Sequence, residues 1–201
     1  MRTRAILFAT LTAAPLASQE PPGVAAGMKG AAEPHSFVRP KVPAALFTHE
    51  KTALLEPECE RIASFLARYA AREYTAAVLR ADAPARSRAR LLLTVSLHLQ
   101  PLNAPAVHCG QRWADGQPPN LPPPAEDLRV FTNVLLSAAR RQTDKSSPAR
   151  ETLSRILIRL AADLDPENED AILASELQDR NGQSPPLREL LEGSLGSDWK
   201  P

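Results

Sequence analysis

The sequence predicts an all-α protein: about five to six helices packed as antiparallel, repeat-like hairpins behind a disordered leader. Three observations carry this expectation. Apolar residues recur at three- and four-residue spacing in long runs. Proline and capping residues separate those runs. The first 48 residues hold few of the large apolar side chains that a core needs.

The chain opens "MRTRAILFATLTAAPLASQE". Arg2 and Arg4 precede a short apolar run, Ala5 to Ala14, and small residues follow around Ala17 and Ser18. This is the order of a secretory signal peptide over 1–18, and the run is too short to span a bilayer. The expected compartment is therefore the periplasm or the exterior. Residues 1–18 carry two of the 24 basic residues and none of the 23 acidic ones, so the remainder has a formal charge of −1. Such a balance gives no general attraction to nucleic acid or anionic lipid. No later run is long enough for a membrane span. From 19 to 48 the chain is rich in Pro, Gly and Ala, the composition of a disordered leader. The helical domain is expected over 49–196, with 197–201 a tail.

The first helix reads "EPECERIASFLARYAAREYTAAVLRAD". Ile62, Phe65, Leu66, Tyr69 and Ala70 form its apolar stripe, and Glu60, Arg61, Ser64, Arg68, Arg72 and Thr75 its polar face. Pro57 suits the first turn, where Glu58 and Glu60 complement the helix dipole. Asp82 then caps a second helix with Pro84 in its first turn. The alternation of Leu93, Val95, Leu97 and Leu99 also fits a buried strand, but length and the arginine-rich first turns favour a helix at the centre of the core.

From Pro101 to Pro124, seven prolines and two glycines predict a long loop without regular structure, anchored by Cys109 and Trp113. A third helix is expected from Pro124 to Arg141, with Leu128, Phe131, Leu135 and Ala138 as its stripe. A fourth starts at Ser147-Pro148 and carries Leu153, Ile156, Leu157, Leu160, Ala161 and Leu164. The short link between them implies an antiparallel hairpin. A fifth runs from Pro166 to Arg180 and stops at Asn181-Gly182. A short sixth, "PPLRELLEG", ends at Gly193.

Chemistry is sparse. The two cysteines, Cys59 and Cys109, read in an exported chain as one disulfide closing a loop of about 50 residues, worth roughly 4 kcal/mol. The alternative is two thiols, one on a helix and one in the loop. His35, His49, His98 and His108 show no metal-ligand spacing, and His108-Cys109 alone does not make a nucleophile and base. Asp163, Asp165, Glu167, Glu169 and Asp170 lack the mid-loop glycine of an EF-hand and read as a solvated helix junction. Arg86, Arg88 and Arg90 fan around a helix without aromatic interleaving, so nucleic acid is not the expected partner. No phosphate loop or nucleophile elbow is present. The expectation is a non-enzyme with no catalytic residue, cofactor or metal, which binds another protein.

Around "LAADLDPENEDA" the chain resembles the junction between two tetratricopeptide repeats. The resemblance implies that Ala161 is the small packing residue, Pro166 the breaker, and Ala171 and Ile172 the first buried positions of the next unit. The chain departs from the pattern at Ser154 and at Ser175-Glu176, and no second copy lies about 34 residues upstream. The stretch "LAADLDPENEDAILASEL" with a tryptophan-containing tail is also similar to the helical region that precedes Lon-like protease domains in exported bacterial proteins. That likeness implies an accessory or detached N-terminal region as the alternative function.

Overall fold

Proline placement and side-chain caps explain where each helix begins. In the computed structural model, which describes residues 45–142 and 147–185 together with Leu187 and Leu190, six helices follow one another. No strand occurs among the described residues. The first, α1 (Glu56–Arg80), has Pro57 in its first turn. The Glu58 carboxylate accepts a 3.0 Å hydrogen bond from the Leu55 amide. That bond, with Arg141 at 2.7 Å, holds the Glu58 carboxyl below its ordinary range. α1 ends where Ala81 turns to a positive φ of 54°, and α2 (Ala83–Leu99) starts at once, with the Asp82 side chain capping the Ala85 amide.

α2 is a helix along its full length, and Leu91 to Leu99 are all buried. Buried on every side from Leu91 to Leu99, its second half takes the central place expected of it. Ala63, Ala67 and Ala70 of α1 are also buried, and such small residues let two helices approach closely. The Ser96 hydroxyl donates to the Ala63 carbonyl at 2.7 Å. α1 and α2 are thus an antiparallel hairpin.

The expected loop over 101–124 is corrected: Ala104–Ala114 is a helix, α3. Asn103 caps it, accepting from the Ala106 amide at 3.1 Å and donating to the Ser64 hydroxyl at 2.7 Å. Pro105 stands in the first turn, where its missing N–H has no partner to lose. Ala106, Cys109 and Trp113 form the buried stripe, and Trp113 stacks on Tyr74 with ring centroids 4.5 Å apart. The other prolines of the stretch, from Pro118 onward, lie beyond the helix in an irregular return.

α4 (Leu128–Arg141) begins later than Pro124 because Asp127 is its cap rather than its first turn. Glu126 instead pairs with Arg61 at 2.7 Å. α5 (Pro148–Leu164) starts at the expected Ser147-Pro148 and α6 (Glu169–Arg180) at Asn168, ending at Asn181-Gly182 with Gly182 at φ 66°. α4, α5 and α6 pack in succession. α1 meets α4 through Phe65 and Phe131, whose rings stack at 3.4 Å between centroids.

The leader boundary also moves. Ala45 and Phe47 are buried, so the packed chain begins before 49. Phe47 donates its amide to the His98 carbonyl at 3.2 Å and sets its ring edge-on to the His98 imidazole. Ala53 donates to the Gln142 side chain at 2.9 Å, tying this strap to the end of α4. The expected signal peptide, the expected leader through residue 44 and the 197–201 tail lie outside the described residues. So does the expected sixth helix, apart from Pro185, Leu187 and Leu190, of which the two leucines pack against the core. No helix among the described residues is long and apolar enough to cross a membrane.

Candidate functional site

The α5–α6 junction is built from short polar side chains. The Asp165 amide closes α5 on the Ala161 carbonyl at 3.1 Å, and Pro166 then prevents the helix from continuing. Asp165 Oδ1 accepts from the Glu167 amide at 3.3 Å, and Asn168 Oδ1 caps α6 at the Ala171 amide at 3.1 Å. α4 holds this turn in place. The Thr132 hydroxyl lies 3.3 Å from Asp165 Oδ2, while Asn168 Nδ2 donates to Thr132 Oγ1 at 3.4 Å and to Asn133 Oδ1 at 3.3 Å. α6 therefore starts beside α4 and runs back along α5, where Arg159 bridges Asp163 and Asp179.

Ala161 and Ala171 are fully buried on neighbouring helices, and Pro166 is exposed on the turn between them. Ile172 is half-buried. Both small residues named from the sequence are thus core residues, with the breaker on the turn between their helices.

α6 has an inverted apolar pattern. Its buried residues are Ala171 and Ser175, whereas Leu173 and Leu177 are 59% and 49% exposed. Asp170 stands three residues before Leu173, so Asp170, Leu173 and Leu177 share one face. Arg140 of α4 reaches Asp170, at the start of that face, at 3.4 Å. Between residues 163 and 180 there are seven carboxylates and one base, Arg180. Together with Arg140 and Arg159, which pair with three of these carboxylates, the stretch has a formal charge of −4.

The spacing of Leu173 and Leu177 was visible in the sequence, but not which face would be buried. The anchoring role of Thr132 and Asn133 had no sequence signal. Asn168 did carry one, since a side-chain oxygen three residues before Ala171 is a cap signature.

The expected disulfide is corrected. Cys59 and Cys109 are separate buried thiols. Cys109 Sγ sits 3.5 Å from the Ala67 carbonyl, two helical turns and roughly 12 Å along α1 from Cys59. Bridging needs Cα atoms within about 7 Å. Burial pushes the Cys109 thiol up to about 12, and burial with the Glu58 charge pushes Cys59 up to about 11. Both are protonated at neutral pH, the opposite of an activated nucleophile.

Among the described residues, no group of three or more His, Cys, Asp or Glu side chains is arranged to hold a metal ion. Arg88 pairs with Glu73 at 2.8 Å, and burial draws Arg90 down to about 10. Comparison with family models, curated proteins and solved structures finds no match to this chain.

Proposed function

We propose that the chain is an exported, repeat-like helical module that works as a protein–protein interaction scaffold, with the outer face of α6 and the adjoining part of α4 as its docking surface. One observation carries the reading: α6 buries Ala171 and Ser175 and leaves Leu173 and Leu177 in solvent. Covering two half-exposed leucines is worth roughly 2 kcal/mol, about thirtyfold in affinity. The anchored turn supports it further, because a face held at a set angle loses little entropy on docking. The succession α4–α5–α6, with α4 and α6 both against α5 and the turn tied at Asn133–Asn168, supports a repeat-like packing of helices.

A photo-crosslinking residue in the full chain at Leu173, Leu177 or Leu79 tests this in the producing cells. Leu79 is exposed near the end of α1 and serves as the control. The expected outcome is one discrete partner band shared by positions 173 and 177 and absent at 79. Capture of nothing, or the same band from all three, refutes the proposal.

A further inference from the structure

Resting on the scaffold reading above, we infer that the segment docking on this face is a basic amphipathic helix of a partner protein, with apolar side chains one turn apart flanked by Lys or Arg. Leu173 and Leu177 are separated by one helical turn, so they offer the repeat that a helix laid along α6 reads with its own i, i+4 pair. The flanks choose the charge. Glu169, Asp170 and Glu176 are exposed on α6 beside the leucines, within the stretch of net negative charge. A docked apolar segment takes water away from these carboxylates, and only cationic neighbours restore what they lose.

The same sign eliminates two other occupants. A second copy of this chain presenting its own α6 would set carboxylates against carboxylates, which is repulsive. A nucleic acid would do the same with phosphates. Among the described residues, the cations beside this face are engaged, Arg140 with Asp170 and Arg180 with Glu176, while Arg159 on the α5 side pairs with Asp163 and Asp179. Glu169 is left for the partner to meet, and the weak, exposed pairs at Asp170 and Glu176 can be exchanged for its basic residues.

Fluorescence anisotropy on the full chain tests this with three labelled peptides of about 18 residues, long enough to form a helix. Two share a leucine stripe at i, i+3, i+4 and i+7, one flanked by Lys and Arg, the other by Glu and Asp. The third keeps the Lys and Arg but carries Ser in place of Leu. The basic leucine peptide should bind at least about tenfold more tightly than either other, and several-fold more weakly when salt rises from about 50 to about 300 mM. Leu173→Ser with Leu177→Ser should weaken it at least about tenfold with unchanged circular dichroism, since both side chains are exposed. Glu169→Lys with Glu176→Lys should move the preference toward the acidic peptide.

Equal binding of the basic and acidic leucine peptides would overturn the charge choice while leaving the scaffold reading intact. Binding undiminished by the leucine double variant would place the contact elsewhere and overturn the inference. Binding of none of the three would overturn the helical partner, and the crosslinks at 173 and 177 would decide the scaffold reading separately.

Discussion

Lowering the pH should unfold this protein partly through one imidazole. His98 lies on the central helix at 1% exposure, with the edge of the Phe47 ring against it. Burial depresses its pKa to about 4 from an ordinary value of 6.5. Between those values the unfolded chain binds a proton that the folded chain refuses, so stability falls as pH falls. The contribution is complete above about pH 6.5, declines through the window, and is exhausted near pH 4. The gap amounts to roughly 3 kcal/mol, a large part of the stability of a domain this size. Urea melts of the wild type and His98→Gln, from about pH 7.5 to about pH 4, isolate the term. Carboxylates such as Glu58, whose lowered pKa adds its own loss at more acid pH, cancel in the difference. The wild-type advantage over His98→Gln should shrink by about 3 kcal/mol across the window. A difference independent of pH would show that the imidazole is not buried in its neutral form.

Three further perturbations separate packing from exposure. Phe47→Ala should cost about 3–5 kcal/mol while its neighbour Leu46→Ala stays within about 0.5 kcal/mol, because only Phe47 is fully buried; similar melts would return the strap to the leader. Leu160→Ala should cost roughly 2–5 kcal/mol and Ala161→Leu roughly 1–3 kcal/mol, since both positions are fully buried. Asp163→Ala, at an exposed ion pair with Arg159, should remain within about 0.5 kcal/mol of wild type. A mild Ala161→Leu would mean that α5 is not closely packed at Ala161. Thiol labelling followed by mass spectrometry should find both cysteines reduced, slow to alkylate when folded and reactive in denaturant, with a melting point insensitive to reductant. A bridged pair would overturn the placement of Cys109 beside Ala67.

The helices with a wide apolar stripe were legible in the sequence because the period itself dictates which side is buried. The starts at Asp82 and Ser147 were legible because a capping side chain followed by proline has only one good use. α3 was not, because its prolines were weighed together with those that follow it. Pro105 sits where a helix tolerates it, and Ala106, Cys109 and Trp113 already had helical spacing. α6 shows the opposite difficulty. Hydrophobicity alone would turn Leu173 and Leu177 inward, yet the interior selected Ala171 and Ser175. Close approach of helices, held by the Thr132 and Asn168 contacts, favours small residues there, and that preference depends on neighbours far away in the chain. The outward turn of Leu173 and Leu177 was hidden for the same reason.

The order of packing has a kinetic consequence. α1, α2 and α3 pack on one another, and α5 packs against both α4 and α6, so most contacts join segments adjacent in the chain. Such topologies close small loops and fold quickly. The meeting of Phe65 with Phe131 joins the two sets across the irregular return after α3, and closing that distance is the entropically expensive event. The two halves can thus acquire helical hairpins before they meet. Until then Phe65 and Phe131 both face water, and the half-assembled chain exposes an aromatic surface prone to self-association. The speed with which these two rings find each other sets how long that vulnerable species persists.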